Sequence, residues 1–148
     1  LEAFDLTRTV YVEGESARIG RISLPIPLVE RMRASPCIEV QATPAARLAY
    51  LLRDYAYLGD DRAALAAQLG LLKEMQGKET VGRWQAWADE GALEPLFDEL
   101  MRLHYDPHYA RSQERHFAHW AQRRAVATDD LSDAGTAAVA DAVLALDA

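Results

Sequence analysis

Two stretches of the sequence combine residue types that can do chemistry. In VYVEGESARIGRISLP, which runs from Val10 to Pro25, an apolar, β-branched run ends on Glu13 and Glu15, and Arg18 and Arg21 follow around Gly20. An acid at the end of an apolar strand is the Walker B pattern, in which the carboxylate holds a magnesium ion, usually through water, beside a nucleotide's phosphates. Two guanidinium forks just past a strand end can grip a phosphate or pyrophosphate by paired hydrogen bonds. Gly20 lets the backbone turn sharply or approach a ligand. The simpler alternative is an ion pair that stiffens a loop. The second stretch, HYDPHYARS, runs from His104 to Ser112. Its aromatics, histidine pair and arginine suit stacking on bases and contact with phosphates. His104 and His108 also have helical metal-ligand spacing, but Pro107 lies between them and is expected to break the helix. The alternative is a helix corner with Tyr105 and Tyr109 in the core.

Other candidates are weaker. A phosphate loop needs G-x-x-x-x-G-K-[ST]. Gly77-Lys78 is followed by Glu79, and Leu72 stands where the first glycine belongs. Cys37 follows Pro36 in a short apolar run and reads as a small core residue rather than a nucleophile. One cysteine excludes an internal disulfide framework.

Charge is unevenly spread. The net charge is −7, and five aspartates with no basic residue fall in 126–148. Residues 17–33 carry Arg18, Arg21, Arg31 and Arg33 against Glu30, and 104–124 carry four arginines and four histidines against Asp106 and Glu114. Two basic patches on an acidic chain suit an anionic partner or solvated faces. The longest apolar run falls far short of the ~18 residues a membrane span needs. The absence of a signal-peptide pattern favours the cytoplasm. Leu1 rather than Met opens the chain, which suggests a fragment of something longer.

These residues need elements to hold them. Thr7 to Glu13 alternates strand formers and is expected to be a strand buried on both faces. A helix over about 26–34 and a strand over 37–40 follow, the unit that builds parallel α/β sheets. From Thr43, a helix N-cap before Pro44, the periodicity is helical. Stripes built on Leu48/Leu51/Leu52, Leu65/Leu69/Leu72, Val81/Trp84/Ala88 and Leu93/Leu96/Phe97/Leu100 are separated by breaks at Gly59-Asp60-Asp61, Gly77 and Glu90-Gly91. A break at Asp106-Pro107 precedes a helix of about 109–124. The Ala-rich end from Leu131 reads as a last helix or a disordered segment. The expected class is α/β but mostly helical, with boundaries at 1–42, 43–125 and 126–148.

In their order and spacing, VYVEGESARIGRISLP, ERMRASPCIEV and HYDPHYARS resemble the C-terminal part of bacterial tRNA 2-selenouridine synthases, over about residues 4–120. The resemblance implies that 1–42 is the remainder of a P-loop-type parallel core, followed by a helical block and an acidic tail. It implies a transferase that replaces the sulfur of wobble 2-thiouridine in tRNA with selenium from selenophosphate, by way of a geranylated intermediate made from geranyl diphosphate. Glu13 would then be the Walker B-like acid, with magnesium through water, and Glu15, Ser16, Arg18, Gly20 and Arg21 would shape the phosphate-side loop. Arg33, His104, Tyr105, Tyr109, Arg111 and Ser112 would face tRNA. The family's rhodanese domain, with its catalytic cysteine, and its phosphate loop would lie upstream, and Cys37 does not match that cysteine. The chain alone is therefore expected to be inactive. The alternatives are a non-catalytic helical interaction module, or a fragment of a P-loop small-molecule kinase or sulfotransferase.

Overall fold

A computed structural model describes residues 7–14 and 17–146. It divides into two compact units, Leu1–Cys37 with Gln113–Arg123, and Ile38–Ser112 with Arg124–Ala148. This division differs from the boundaries expected after residues 42 and 125.

In the first unit, the expected strand over 7–13 is absent. These residues are irregular, and Val10, Tyr11 and Val12 are 46%, 40% and 56% exposed. A β-branched run forms a strand only where a neighbour takes up its backbone N–H and C=O groups, and among the described residues no strand pairs with this one. The first regular element is a hairpin of β1 (Arg18–Ile19) and β2 (Ile22–Ser23), with Arg18 opposite Ser23 and Ile19 opposite Ile22. Its two-residue turn is Gly20-Arg21. Gly20 has φ +59° while Arg21 does not have positive φ, which is the type II′ pattern with glycine first. The Leu24 N–H donates to the Ala17 carbonyl at 2.9 Å and closes the hairpin base. Pro25 and Pro27 then preset the first turn of α1 (Ile26–Arg33). The Ala118 N–H donates to the Arg33 carbonyl, tying the returning segment to the end of this helix. Gly14 lies against the Phe117 ring, where an added Cβ would come within 3.0 Å of Cζ.

The second unit holds the helical core and a two-stranded parallel sheet. β3 (Ile38–Ala42) pairs with β4 (Arg124–Thr128), from Ile38 opposite Arg124 to Ala42 opposite Thr128. The parallel partner is thus not the stretch before α1 but a strand in what reads as the start of the acidic tail. Thr43 caps α2 (Pro44–Asp54) as expected, its hydroxyl accepting from the Ala46 N–H. A 3₁₀ turn at Ala56–Gly59 leads to α3 (Arg62–Gly70), capped by Asp61, and α4 (Lys73–Gln76). α5 (Lys78–Glu90) ends on Gly91 at φ +78°, a left-handed C-cap that glycine adopts without strain. α6 (Leu93–Glu99) follows. Leu65, Leu69, Val81, Trp84, Ala88, Leu96 and Phe97 interlock as the core, so the predicted helical stripes do meet.

The expected break at Asp106-Pro107 does not occur. Leu100–Tyr105 winds as one turn of π-helix and passes directly into α7 (Asp106–His116). The Asp106 N–H donates five residues back, to the Met101 carbonyl. Pro107 has no N–H to give and sits at the start of the tighter helix, where none is needed. The expected helix over 109–124 stops at His116, and a 3₁₀ turn at Trp120–Gln122 precedes β4. After β4, Ser132 caps α8 (Asp133–Ala145), which packs on that strand. Among the described residues no helix is long and apolar enough to cross a membrane.

Candidate functional site

The hairpin places Arg18 on its first strand and Arg21 in its turn, both exposed, with Gly20 between them making the turn possible. The backbone therefore projects two guanidinium groups from a tight, preset loop. Arg33 and Arg31 lie in the last turn of α1 and are exposed as well. Glu13 is exposed in the irregular segment before the hairpin rather than at a strand's edge. Glu15 and Ser16 lie outside the described residues. Among the described residues no three His, Cys, Asp or Glu side chains converge as metal ligands. Cys37 is half-buried, its thiol 3.7 Å from the Ser35 carbonyl oxygen, and burial pushes its pKa up, away from nucleophilic use.

In the second unit, HYDPHYARS forms two ring pairs at helical spacing, one stacked and one tilted. The rings of Tyr105 and Tyr109 stack with centroids 5.7 Å apart and planes 13° apart. The His104 and His108 rings lie 4.9 Å apart, tilted by 56°. Arg111 continues the histidine stripe and Ser112 the tyrosine stripe, each three residues beyond the second member of its pair. Tyr105 and Tyr109 are 49% and 37% exposed, so they are not core residues of a helix corner. His104 is half-buried, and its Nδ1 lies 3.1 Å from the Gln76 amide nitrogen. An amide nitrogen donates, so this nitrogen accepts and the proton sits on Nε2. Burial first, and His108 second, lower the pKa of His104 and favour this neutral form.

Arg47, which carries no motif in the sequence, holds this stretch in place. From α2 it donates to both oxygens of Asp106, at 2.6 and 3.1 Å, and its guanidinium lies 6.0 Å from the centroid of the Tyr105 ring. The hydrogen bond to Asp106, more than its charge, raises the Arg47 pKa. Just before the π turn, Glu99 takes the indole N–H of fully buried Trp84 at 2.9 Å and two hydrogen bonds from Arg83. The motif thus starts from an anchored residue and is clamped one turn later.

Exposed arginines thus lie in both units, Arg18, Arg21, Arg31 and Arg33 in the first and Arg111 in the second, and the second also carries the exposed Tyr105–Tyr109 pair. Residues 3–79 match the family model described as the tRNA 2-selenouridine synthase AAA domain. A tRNA 2-selenouridine synthase of Cupriavidus pinatubonensis (strain JMP 134 / LMG 1197) is 30% identical over 158 aligned positions, covering 85% of this chain and 42% of that protein. The chain belongs to the tRNA 2-selenouridine synthase family. It spans about two fifths of the length of that relative. No solved structure matches the chain.

Proposed function

We propose that the chain is part of a transferase that converts wobble 2-thiouridine in tRNA to 2-selenouridine, using selenophosphate and passing through a geranylated intermediate made from geranyl diphosphate. Family membership supports the tRNA-modifying role. The observation that carries the reading to this chain's own residues is the exposed Tyr105–Tyr109 stack, an arrangement suited to base stacking. The two co-substrates are both phosphate anions, and paired arginine forks suit them. In this reading, Glu13, Glu15, Ser16, Arg18, Gly20 and Arg21 line the phosphate side, and Arg33, His104, Tyr105, Tyr109, Arg111 and Ser112 face tRNA. In the same reading residues 1–42 are the remainder of a P-loop-type core, and a rhodanese segment with its own cysteine and the phosphate loop complete the enzyme elsewhere in the protein. The same reading makes the enzyme cytoplasmic, where its tRNA substrate is. A second reading, a helical interaction module, draws on Ile22 and Ile26, which are 69% and 72% exposed.

Affinity of the full-length protein for tRNA, titrated against salt, tests the proposal. Binding is expected to weaken steeply as salt rises, because each neutralised phosphate releases counterions. Arg18→Ala and Arg111→Ala should each lower affinity and flatten the log–log slope by about one for each phosphate no longer neutralised. Affinity that is flat in salt and indifferent to both arginines would overturn the RNA reading and favour the interaction module.

A further inference from the structure

Tyr105 and Tyr109 are large aromatic residues in a unit whose core is already closed around Trp84, Leu96 and Phe97. They lie at the surface, stacked on each other, 49% and 37% exposed. They are also held: the Arg47 fork fixes Asp106 between them in sequence and places its guanidinium by the Tyr105 ring. An exposed aromatic pair that is ordered before any ligand arrives loses little conformational freedom on binding. The His104–His108 pair runs along the neighbouring stripe of the same helix.

From this arrangement, and resting on the RNA reading above, we infer that the Tyr105–Tyr109 pair is a stacking platform for unpaired nucleobases. It takes single-stranded loop nucleotides and not duplex RNA. The faces of a base are open to a side chain only where the base has left its helix stack, so an aromatic platform selects unpaired nucleotides. Every base has a π face, so the platform tolerates sequence and supplies affinity rather than a code. Arg47 is a positioning residue in this arrangement, acting through Asp106.

The test uses the full-length protein with two probes of equal length, single-stranded oligouridylate and a blunt RNA duplex, followed by fluorescence anisotropy across salt. The single strand should bind more tightly than the duplex. Tyr105→Leu and Tyr109→Leu should each weaken single-strand binding by roughly 5- to 150-fold, the range for removal of one aromatic–base stack. They should leave the salt slope and duplex affinity unchanged, and Tyr109→Phe should keep near-normal affinity. Arg111→Ala should flatten the slope instead. Photo-crosslinking of 4-thiouridine-substituted oligouridylate to the unaltered protein, which does not depend on any variant folding, should label the peptide that holds Tyr105 and Tyr109. If neither probe binds at any salt, the RNA reading falls and the platform with it. If RNA binds but the leucine variants are indifferent, or single strand and duplex weaken equally, or the crosslink maps elsewhere, the platform alone is overturned. Capture of an apolar peptide by the pair in place of RNA would also overturn it.

Discussion

Removing the Glu99 carboxylate should loosen the base of the motif through one buried atom. Trp84 is 0% exposed, and its indole N–H points at Glu99 Oε2, 2.9 Å away. Glu99→Ala leaves that donor with no acceptor, which costs about 1–3 kcal/mol for a buried polar group. The Arg83 contacts add little, roughly 0–1 kcal/mol, because Arg83 is 38% exposed and its charge is screened. The total is about 1–4 kcal/mol, or a fall in melting temperature of roughly 2–16 °C at this chain length. Glu99→Gln keeps an amide oxygen for the indole and should cost less than about 1 kcal/mol. Acid sensitivity separates the two effects. Burial pushes the Glu99 pKa up, but the hydrogen bonds from Arg83 and Trp84 outweigh it and hold the carboxyl below its ordinary value of 4.5. A depressed folded pKa means that the stabilisation is present above the unfolded value and is lost as pH falls through the folded one. The glutamine variant should therefore unfold with a shallower acid limb than the parent. Urea unfolding of the 148-residue chain, followed by circular dichroism between pH 3 and 7, measures both. An alanine variant within about 0.5 kcal/mol of the parent, or a glutamine variant as damaged as alanine, would refute the assignment of the cost to the orphaned indole.

Three further outcomes follow from the same geometry. Arg47→Met should lower stability by about 0.5–1.5 kcal/mol, since the fork is charge-assisted but its side chains are 29% and 45% exposed; a melting curve checks it. His104 has a folded pKa below the ordinary 6.5, so stability should hold above that value and fall as pH drops through the depressed folded pKa. His104→Gln should flatten stability between pH 5 and 7, as urea midpoints would show. Deleting residues 129–148 should lower the melting temperature by more than about 5 °C, because α8 packs on β4 and the Arg124 side chain donates to the Leu146 carbonyl; an unchanged melting temperature would show that the segment is a dispensable tail.

The parts of the chain legible in its sequence are those written within a few residues. Thr43-Pro44, Asp61 and Gly91 mark helix ends by local hydrogen-bond chemistry: Thr43 caps as read, and the breaks expected at Asp61 and Gly91 are an N-cap and a C-cap. The stripes through Leu65, Val81, Trp84 and Leu96 state which faces must be buried, and these faces meet. Strand pairing is not local. β4 reads Arg-Ala-Val-Ala-Thr, and alanine carries little strand signal, so nothing nearby announces that Val126 will lie opposite Val40. The opposite error occurs at Thr7–Glu13, where strand-forming residues stand without a partner strand among those described.

The candidate site divides along the same line. Spacing alone brings His104 to His108 and Tyr105 to Tyr109, because residues four apart on a helix are neighbours. Pro107 hid this, since it argues for a break, and the π turn that absorbs it has no signature of its own. Arg47 was not legible at all: it reaches Asp106 across 59 residues. A helix face in water can carry tyrosines and cations in many arrangements, each costing little to rearrange. The fork on Asp106 and the anchored Glu99 narrow these to one. What the sequence could show was therefore the residue types of an exposed aromatic and basic surface. What turns those types into a surface with fixed geometry is a pair of long-range contacts that only the fold contains.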